Sequence, residues 1–260
     1  MKILKSNEAF ERINDELQFS YVKYFVQRDG VLYYGKWKNR YHPPSTLDQL
    51  EEVQQIQTND RGPLIQPTWS TIYIKTPSLL SYVDGSDLEQ QILREVTVCE
   101  ILRNNPHPNL ATYYGCQETN GRVSGLCFKR YTCTLLEKAN PGHLNKEEFR
   151  LSGREHVGEA IRSCLDGILD GIRHLHSLGF VHNDINPANI MFDEDGGPVI
   201  IDFDSCRRIG ESLKGTETKR THQWHDPRVE MVVQVNDLDA WQVLRIWLMG
   251  GLEERFLFGS

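Results

Sequence analysis

No stretch of this 260-residue chain is apolar for long enough to cross a membrane, which takes about 20 residues. The best candidate, WQVLRIWLMGGL at 241–252, is interrupted by Arg245. No C-x-x-C pair occurs among the six cysteines, Cys99, Cys116, Cys127, Cys133, Cys164 and Cys206, which excludes a zinc ribbon or a thioredoxin-like site. Several of them sit in apolar runs and read as small buried hydrophobes. Positive charge is not in excess: 29 Lys and Arg stand against 36 Asp and Glu, a net charge of −7. A general nucleic-acid binder would be basic. The opening residues, MKILKSNEAFERINDELQ, contain no apolar core of signal-peptide length. Repeats and low-complexity tracts are lacking too. These absences lead us to expect an intracellular, soluble, cytoplasmic protein with reduced thiols, and neither nucleic acid nor membrane as partner. What is present is the composition of a folded domain, 39% hydrophobic and 25% charged residues. The length suits one large domain or two small lobes.

Residues 2–37 read as a charged helical start followed by the strand-like pieces YVKYFV and VLYYGKW. Residues 39–67 are polar and proline-containing, with the pattern of a short amphipathic helix at 46–55. WSTIYIKT is rich in β-branched and aromatic residues and predicts a strand. After a turn at Asp84-Gly85, apolar residues at 88, 92, 96, 99 and 102 recur at spacings of three and four. That predicts a helix over 88–102, stopped by the prolines of NNPHPN. LATYYGCQ and RVSGLCFKRY predict a strand pair about the turn Thr119-Asn120-Gly121. Over 157–178 a long amphipathic pattern aligns Ile161, Leu165, Ile168, Leu169, Ile172 and Leu175, with Gly179 as its stop. FVHNDINPANIMF, a turn at Asp195-Gly196-Gly197 and the apolar strand PVIIDF follow. The last predicted helix covers 237–249.

The chemistry concentrates in His182-Asn183-Asp184-Ile185-Asn186-Pro187-Ala188-Asn189 and in Asp202-Phe203-Asp204, the latter behind the apolar Val199-Ile200-Ile201. An isolated aspartate is usually a turn cap or a solvated loop acid. An aspartate, an asparagine five residues on, and a second aspartate behind an apolar strand form a far more specific set. Phosphoryl transfer needs a carboxylate to orient the acceptor hydroxyl, and oxygen ligands for a Mg²⁺ that bridges the phosphates. A hairpin turning at 195–197 would bring Asn189 and Asp202 side by side.

This set resembles the protein-kinase catalytic loop H-R-D-x-x-x-x-N and the D-F-G that follows it. The resemblance covers roughly 71–249. Ile72-Tyr73-Ile74-Lys75 is similar to the V-A-I-K strand, and Leu93-Arg94-Glu95-Val96 to the C-helix, with Glu89 and Glu100 as alternatives to Glu95. His107-Pro108-Asn109-Leu110 is similar to the turn after that helix, Leu126-Cys127-Phe128 to the strand entering the hinge, and Asp237-Leu238-Asp239-Ala240-Trp241 to the start of the F-helix. As a whole the chain resembles compact fungal protein-kinase-like proteins. The resemblance implies an α+β, bilobal protein-kinase-like fold. Its β-rich N-lobe, with an N-terminal extension, would cover 1–131, and a mainly helical, truncated C-lobe 132–260. It implies ATP and Mg²⁺ as cofactors. Lys75 would hold the phosphates, positioned by Glu95. Lys129, Arg130 and Tyr131 would form the hinge that meets adenine, with Phe128 as gatekeeper. Asp184 would be catalytic with Lys75, Asn189 and Asp202 would bind the metal, and Asp237 would anchor the catalytic loop. The implied activity is phosphorylation of Ser or Thr hydroxyls of a protein substrate.

Four departures from the family pattern matter. Gly62 is the only glycine in the thirty residues before Lys75, so no glycine-rich phosphate loop precedes it. Asn183 replaces the arginine of H-R-D, Asn186 replaces a lysine that stabilises the transferring phosphate, and about ten residues follow the last helix. These departures keep two alternatives in view. One is a pseudokinase serving as a binding or scaffold module; the other is a small-molecule kinase of the choline or aminoglycoside type, acting on a small-molecule hydroxyl acceptor. His222 and His225 read as loop histidines rather than metal ligands, and Cys206 as a packed thiol.

Overall fold

In YVKYFV, alternate residues point to opposite faces of a strand. Val22, Tyr24 and Val26 pack with Leu50 on one face, and Phe25 packs with Tyr34 and Ile56 on the other. In the computed structural model, which describes residues 1–13, 16–56, 72–76, 88–119, 122–214, 216 and 218–258, these residues lie in β2 (Glu16–Arg28). This strand pairs antiparallel with β1 (Lys2–Ile13) and with β3 (Val31–Trp37). Adding β4 (Glu51–Ile56) gives a four-stranded sheet in the order β1-β2-β3-β4.

This sheet departs from expectation at two places. The charged start is a strand, not a helix, because β1 finds partners along β2 from Lys2 opposite Gln27 to Ile13 opposite Glu16; cross-strand pairing overrides local propensity. The helix expected at 46–55 is a single 3₁₀ turn, Leu47–Gln49, closed by a capping box between Thr46 and Gln49. Leu50 then becomes extended, and the chain enters the sheet. The turns at Asp84-Gly85 and Asn120-Gly121 and the loop at Gly62 lie outside the described residues.

The chain divides into two compact units. One comprises Met1–Pro63, Pro77–Ser86 and Glu118–Ser124; the other comprises Leu64–Thr76, Asp87–Gln117 and Gly125–Ser260. All the candidate site residues fall in the second. There β5 (Ile72–Lys75) pairs antiparallel with β7 (Arg122–Lys129), Ile72 opposite Lys129 and Lys75 opposite Leu126. With β6 (Tyr113–Thr119) the sheet order is β5-β7-β6. Helix α1 (Leu88–Asn104) runs two residues further than expected and buries Glu95, Val98, Cys99 and Leu102.

Four helices follow: α2 (Leu135–Ala139), α3 (Lys146–Leu151), α4 (Glu159–Arg162) and α5 (Cys164–Ser177). The single helix expected over 157–178 is thus broken at Ser163, whose hydroxyl donates to Ala160 O at 3.1 Å and tightens the turn. The predicted apolar face is nonetheless kept: Leu165, Ile168, Ile172 and Leu175 are buried. At Gly171 an added Cβ would stand 2.9 Å from Asn109 O. Glycine there lets α5 close on the turn His107-Pro108-Asn109-Leu110. That turn is sewn in place, since Ile200 N donates to Asn109 O and Ala111 N to Ile200 O, each at 2.9 Å.

The remaining elements are β8 (Phe180–Val181), β9 (Ile190–Phe192), β10 (Pro198–Ile200), a 3₁₀ turn at Phe203–Ser205, β11 (Arg207–Arg208) and α6 (Val235–Met249). The architecture is α+β. Among the described residues no helix is long and apolar enough to cross a membrane.

Candidate active site

Asp237, in the first turn of α6, is completely buried. A buried carboxylate is tolerated only when its oxygens are hydrogen-bonded. Here Oδ2 accepts the N–H of His182 and Oδ1 that of Asn183, each at 2.8 Å, and His176 Nε2 of α5 lies 2.9 Å from Oδ2. Two successive N–H groups aimed at one carboxylate fix the start of the loop 182–189. Asn183 adopts φ +63, a left-handed conformation that asparagine tolerates better than most residues. Its amide donates to Val181 O and Ser205 O at 3.1 and 3.2 Å, so the residue serves the backbone.

From this anchor the loop reaches Asp184. Asn189, five residues on, donates through Nδ2 to Asp184 O at 3.0 Å and to Asp184 Oδ2 at 2.9 Å. Asn186 donates to Asp184 O at 3.1 Å and to Thr221 Oγ1 at 3.0 Å. Burial pushes the Asp184 carboxyl above its ordinary range, against the opposing pull of the Thr221 N–H and of His182.

The β9–β10 hairpin sets the second acid. Ile190 pairs with Ile200, and Ile201 N donates to Asn189 O at 3.0 Å. Asn189 and Asp202 therefore leave the same end of the hairpin. The turn is made by Gly196 at φ +82 and by Asp193, whose Oδ1 accepts from Asp195 N and Gly197 N. Strand β10 stops at Ile200, short of the predicted PVIIDF, and Asp202 turns left-handed at φ +67. The donor set fits Mg²⁺. With Nδ2 committed to Asp184, Asn189 keeps its amide oxygen for a ligand, and Asp202 adds a carboxylate; both are hard oxygen donors of the kind this cation takes.

Lys75, at the end of β5, ion-pairs with Glu95 Oε1 at 2.6 Å and also with Asp202 Oδ1. Of the three acids considered on α1, Glu95 is the one placed on Lys75. Burial pulls the Lys75 ammonium down, but Glu95, Asp202 and Asp204 outweigh it and its pKa rises. Burial pushes Glu95 up to about 7 against the pull of Lys75.

A cavity of about 320 Å³ opens beside this pair. Tyr73, Ala111, Phe128, Met191 and Ile201 give it apolar walls, Lys75 and Asp202 line it, and so do Lys129, Arg130 and Tyr131. The path of 129–131 is held by three bonds: Lys129 N donates to Thr112 O, Arg130 Nη2 to Ile72 O, and Thr112 N to Tyr131 Oη. Phe128 is buried against the Tyr113 ring, 5.4 Å between centroids.

One residue at the site has no sequence signal. Thr221 donates its N–H to Asp184 Oδ1 at 2.7 Å and its hydroxyl to Oδ2 at 3.1 Å. Nothing in its sequence context separates it from Thr216 or Thr218. His225, from the same turn, donates through Nδ1 to Thr221 O at 2.8 Å. Cys206 is buried, and burial pushes its thiol pKa well up.

Residues 71–246 match the family model of the protein kinase domain, and the chain belongs to that family. Its fold is the α+β, bilobal protein-kinase fold. It is similar to mitogen-activated protein kinase kinase kinase 5 of Arabidopsis thaliana, 28% identical over 169 residues that cover 63% of this chain and 21% of the relative. It is also similar to serine/threonine-protein kinase shk2 of Schizosaccharomyces pombe, 29% identical over 173 residues, 65% of this chain and 26% of the relative. The chain thus spans a minor part of the curated relatives it matches. Among solved structures, the crystal structure of the yeast RNA Pol II CTD kinase CTDK-1 complex contains a chain similar in fold. The TM-score is 0.50 at 17% identity, covering 85% of this chain and 59% of that one.

Proposed function

We propose that this domain is an ATP-dependent phosphotransferase that phosphorylates Ser or Thr hydroxyls of a protein in the cytoplasm. The observation that carries the proposal is one arrangement: the Lys75–Glu95 pair reaches Asp202, while Asn189 braces Asp184. Folding alone does not call for that set. The names of the relatives above support a protein acceptor. In this reading 1–131 and 132–260 are the two lobes.

The base enters the cavity between its apolar walls and the backbone of 129–131. Lys75, oriented by Glu95, meets the phosphates. Asn189 and Asp202 hold Mg²⁺, which neutralises charge on the phosphate oxygens when bound. Asp184 accepts the hydrogen bond of the acceptor hydroxyl and orients it for attack. A second reading, transfer to a small-molecule hydroxyl, is favoured by Asn186, an uncharged amide where a protein kinase carries lysine.

The test is transfer of label from γ-labelled ATP by the purified chain with Mg²⁺, offered protein and metabolite pools, with Asp184→Asn as control. We expect label on protein serine or threonine and none with the variant. Label on metabolites alone selects the second reading. Binding of Mg-ATP without transfer makes the domain a binding module and ends the enzyme reading.

A further inference from the structure

Lys146, the first residue of α3, is buried. Its ammonium lies 5.0 Å from the Trp224 ring centroid and 4.1 Å from that of Phe256. It donates to Gln223 O at 2.7 Å and to Phe258 O at 3.1 Å. Burying an ammonium is costly unless it is hydrogen-bonded, and here two main-chain carbonyls from distant parts of the sequence perform that task. Arg150 and Arg154, four and eight residues further on, do the same for neighbouring main chain. Arg150 donates to Glu254 O and Leu252 O, and Arg154 to Gly250 O and Ile246 O. Three successive cations thus hold the course of 246–258 by its carbonyls.

The carbonyl on Lys146 belongs to a strained residue. Gln223 sits at φ +68, a conformation that residues with a Cβ keep only when their surroundings over-determine it. The surroundings here are the Lys146 clasp and the Trp224 ring, edge-on to Trp247 at 5.6 Å. The turn containing Gln223 begins at Thr221: Trp224 N donates to Thr221 O at 3.1 Å. Thr221 in turn donates twice to Asp184. The chain of contacts is continuous from Phe258 through Lys146 and Gln223 to the candidate catalytic carboxylate.

We propose that Lys146 is a positioning residue for Asp184: by clasping Gln223 O and Phe258 O it locks the strained turn 221–225, and with it Thr221, to the segment 250–258. The consequence for turnover rests on the phosphotransferase reading; the clasp does not. Lys146→Met keeps the aliphatic stem and removes the donors, while Lys146→Arg keeps charge and donors. The measurement is amide hydrogen exchange, with kcat and ATP affinity alongside. With Lys146→Met we expect exchange at Thr221 and Trp224 to rise at least tenfold while 88–104 stays within twofold. We expect kcat to fall at least tenfold with ATP affinity within twofold, and Lys146→Arg to restore most of both. Unchanged exchange at Thr221 and Trp224 overturns the proposal, as does an equal rise throughout the domain. If Lys146→Met does not fold, Phe256→Ala removes one ring face, and the same local rise decides. A wild type that transfers no phosphate ends the phosphotransferase reading and leaves exchange alone to decide the clasp.

Discussion

Thr221 covers Asp184 with two donors, its N–H on Oδ1 and its hydroxyl on Oδ2. Asn189 Nδ2 adds a third. A carboxylate offers about four lone-pair sites, so one remains, on Oδ1. In the proposed mechanism that is the position at which the carboxylate receives the acceptor hydroxyl.

Thr221→Ala removes the hydroxyl donor and keeps the N–H. A hydrogen bond to a charged group contributes about 1.5–3 kcal/mol. We expect kcat to fall at least about tenfold, with the Kd for Mg-ATP unchanged and Thr221→Ser close to wild type. Steady-state kinetics of the three proteins check this.

ATP is expected to stabilise the domain far more with Mg²⁺ than with chelator. Ligand at a hundred times its Kd adds about 2.7 kcal/mol. Asp202→Asn, which loses a carboxylate of the proposed metal pair, should abolish the difference. Thermal shifts of both proteins with and without Mg²⁺ decide, and equal shifts in chelator would count against these ligands.

Asp237→Ala leaves the N–H groups of His182 and Asn183 without their acceptor. Each orphaned buried donor costs about 1–3 kcal/mol, so urea unfolding should show a loss of about 3–5 kcal/mol. Asp237→Asn keeps one acceptor oxygen and should lose less.

Burial pushes the Lys146 ammonium down to about 8 from 10.5, against the pull of neighbouring Glu147. Between these values the unfolded chain holds a proton that the folded chain has released. Stability therefore rises with pH across this window. The neutral amine retains two N–H donors for its two carbonyls, so the clasp persists. From pH 7.5 to 9.5 the unfolding free energy of wild type relative to Lys146→Met should grow by about 2 kcal/mol. Urea titrations at the two pH values measure it, and a flat difference would show that the charge is not penalised by burial.

The loop 182–189 and the hairpin after it were legible because their spacings are set by bonds that local chain closes. Asn189 must be five residues from Asp184 to brace it, and Gly196 marks the turn between β9 and β10. The α5 face was legible because its burial is periodic. The β1 strand was not, since its charged pattern acquires meaning only opposite β2. Thr221 and Lys146 were invisible for a different reason. Each acts through contacts across long stretches of sequence, 37 residues from Thr221 to Asp184 and 77 from Lys146 to Gln223. No short pattern encodes such a contact.

The cations Lys146, Arg150 and Arg154 grasp the chain at Ile246, Gly250, Leu252, Glu254 and Phe258 by carbonyl oxygens. Every residue type supplies that oxygen. Exchanging Leu252 or Leu257, both exposed, for another residue leaves the grip intact, whereas inserting or deleting one residue between them shifts the carbonyls that follow, Phe258 O among them, out of register with their cations. Homologous chains should accordingly vary in letters along this segment but not in its length.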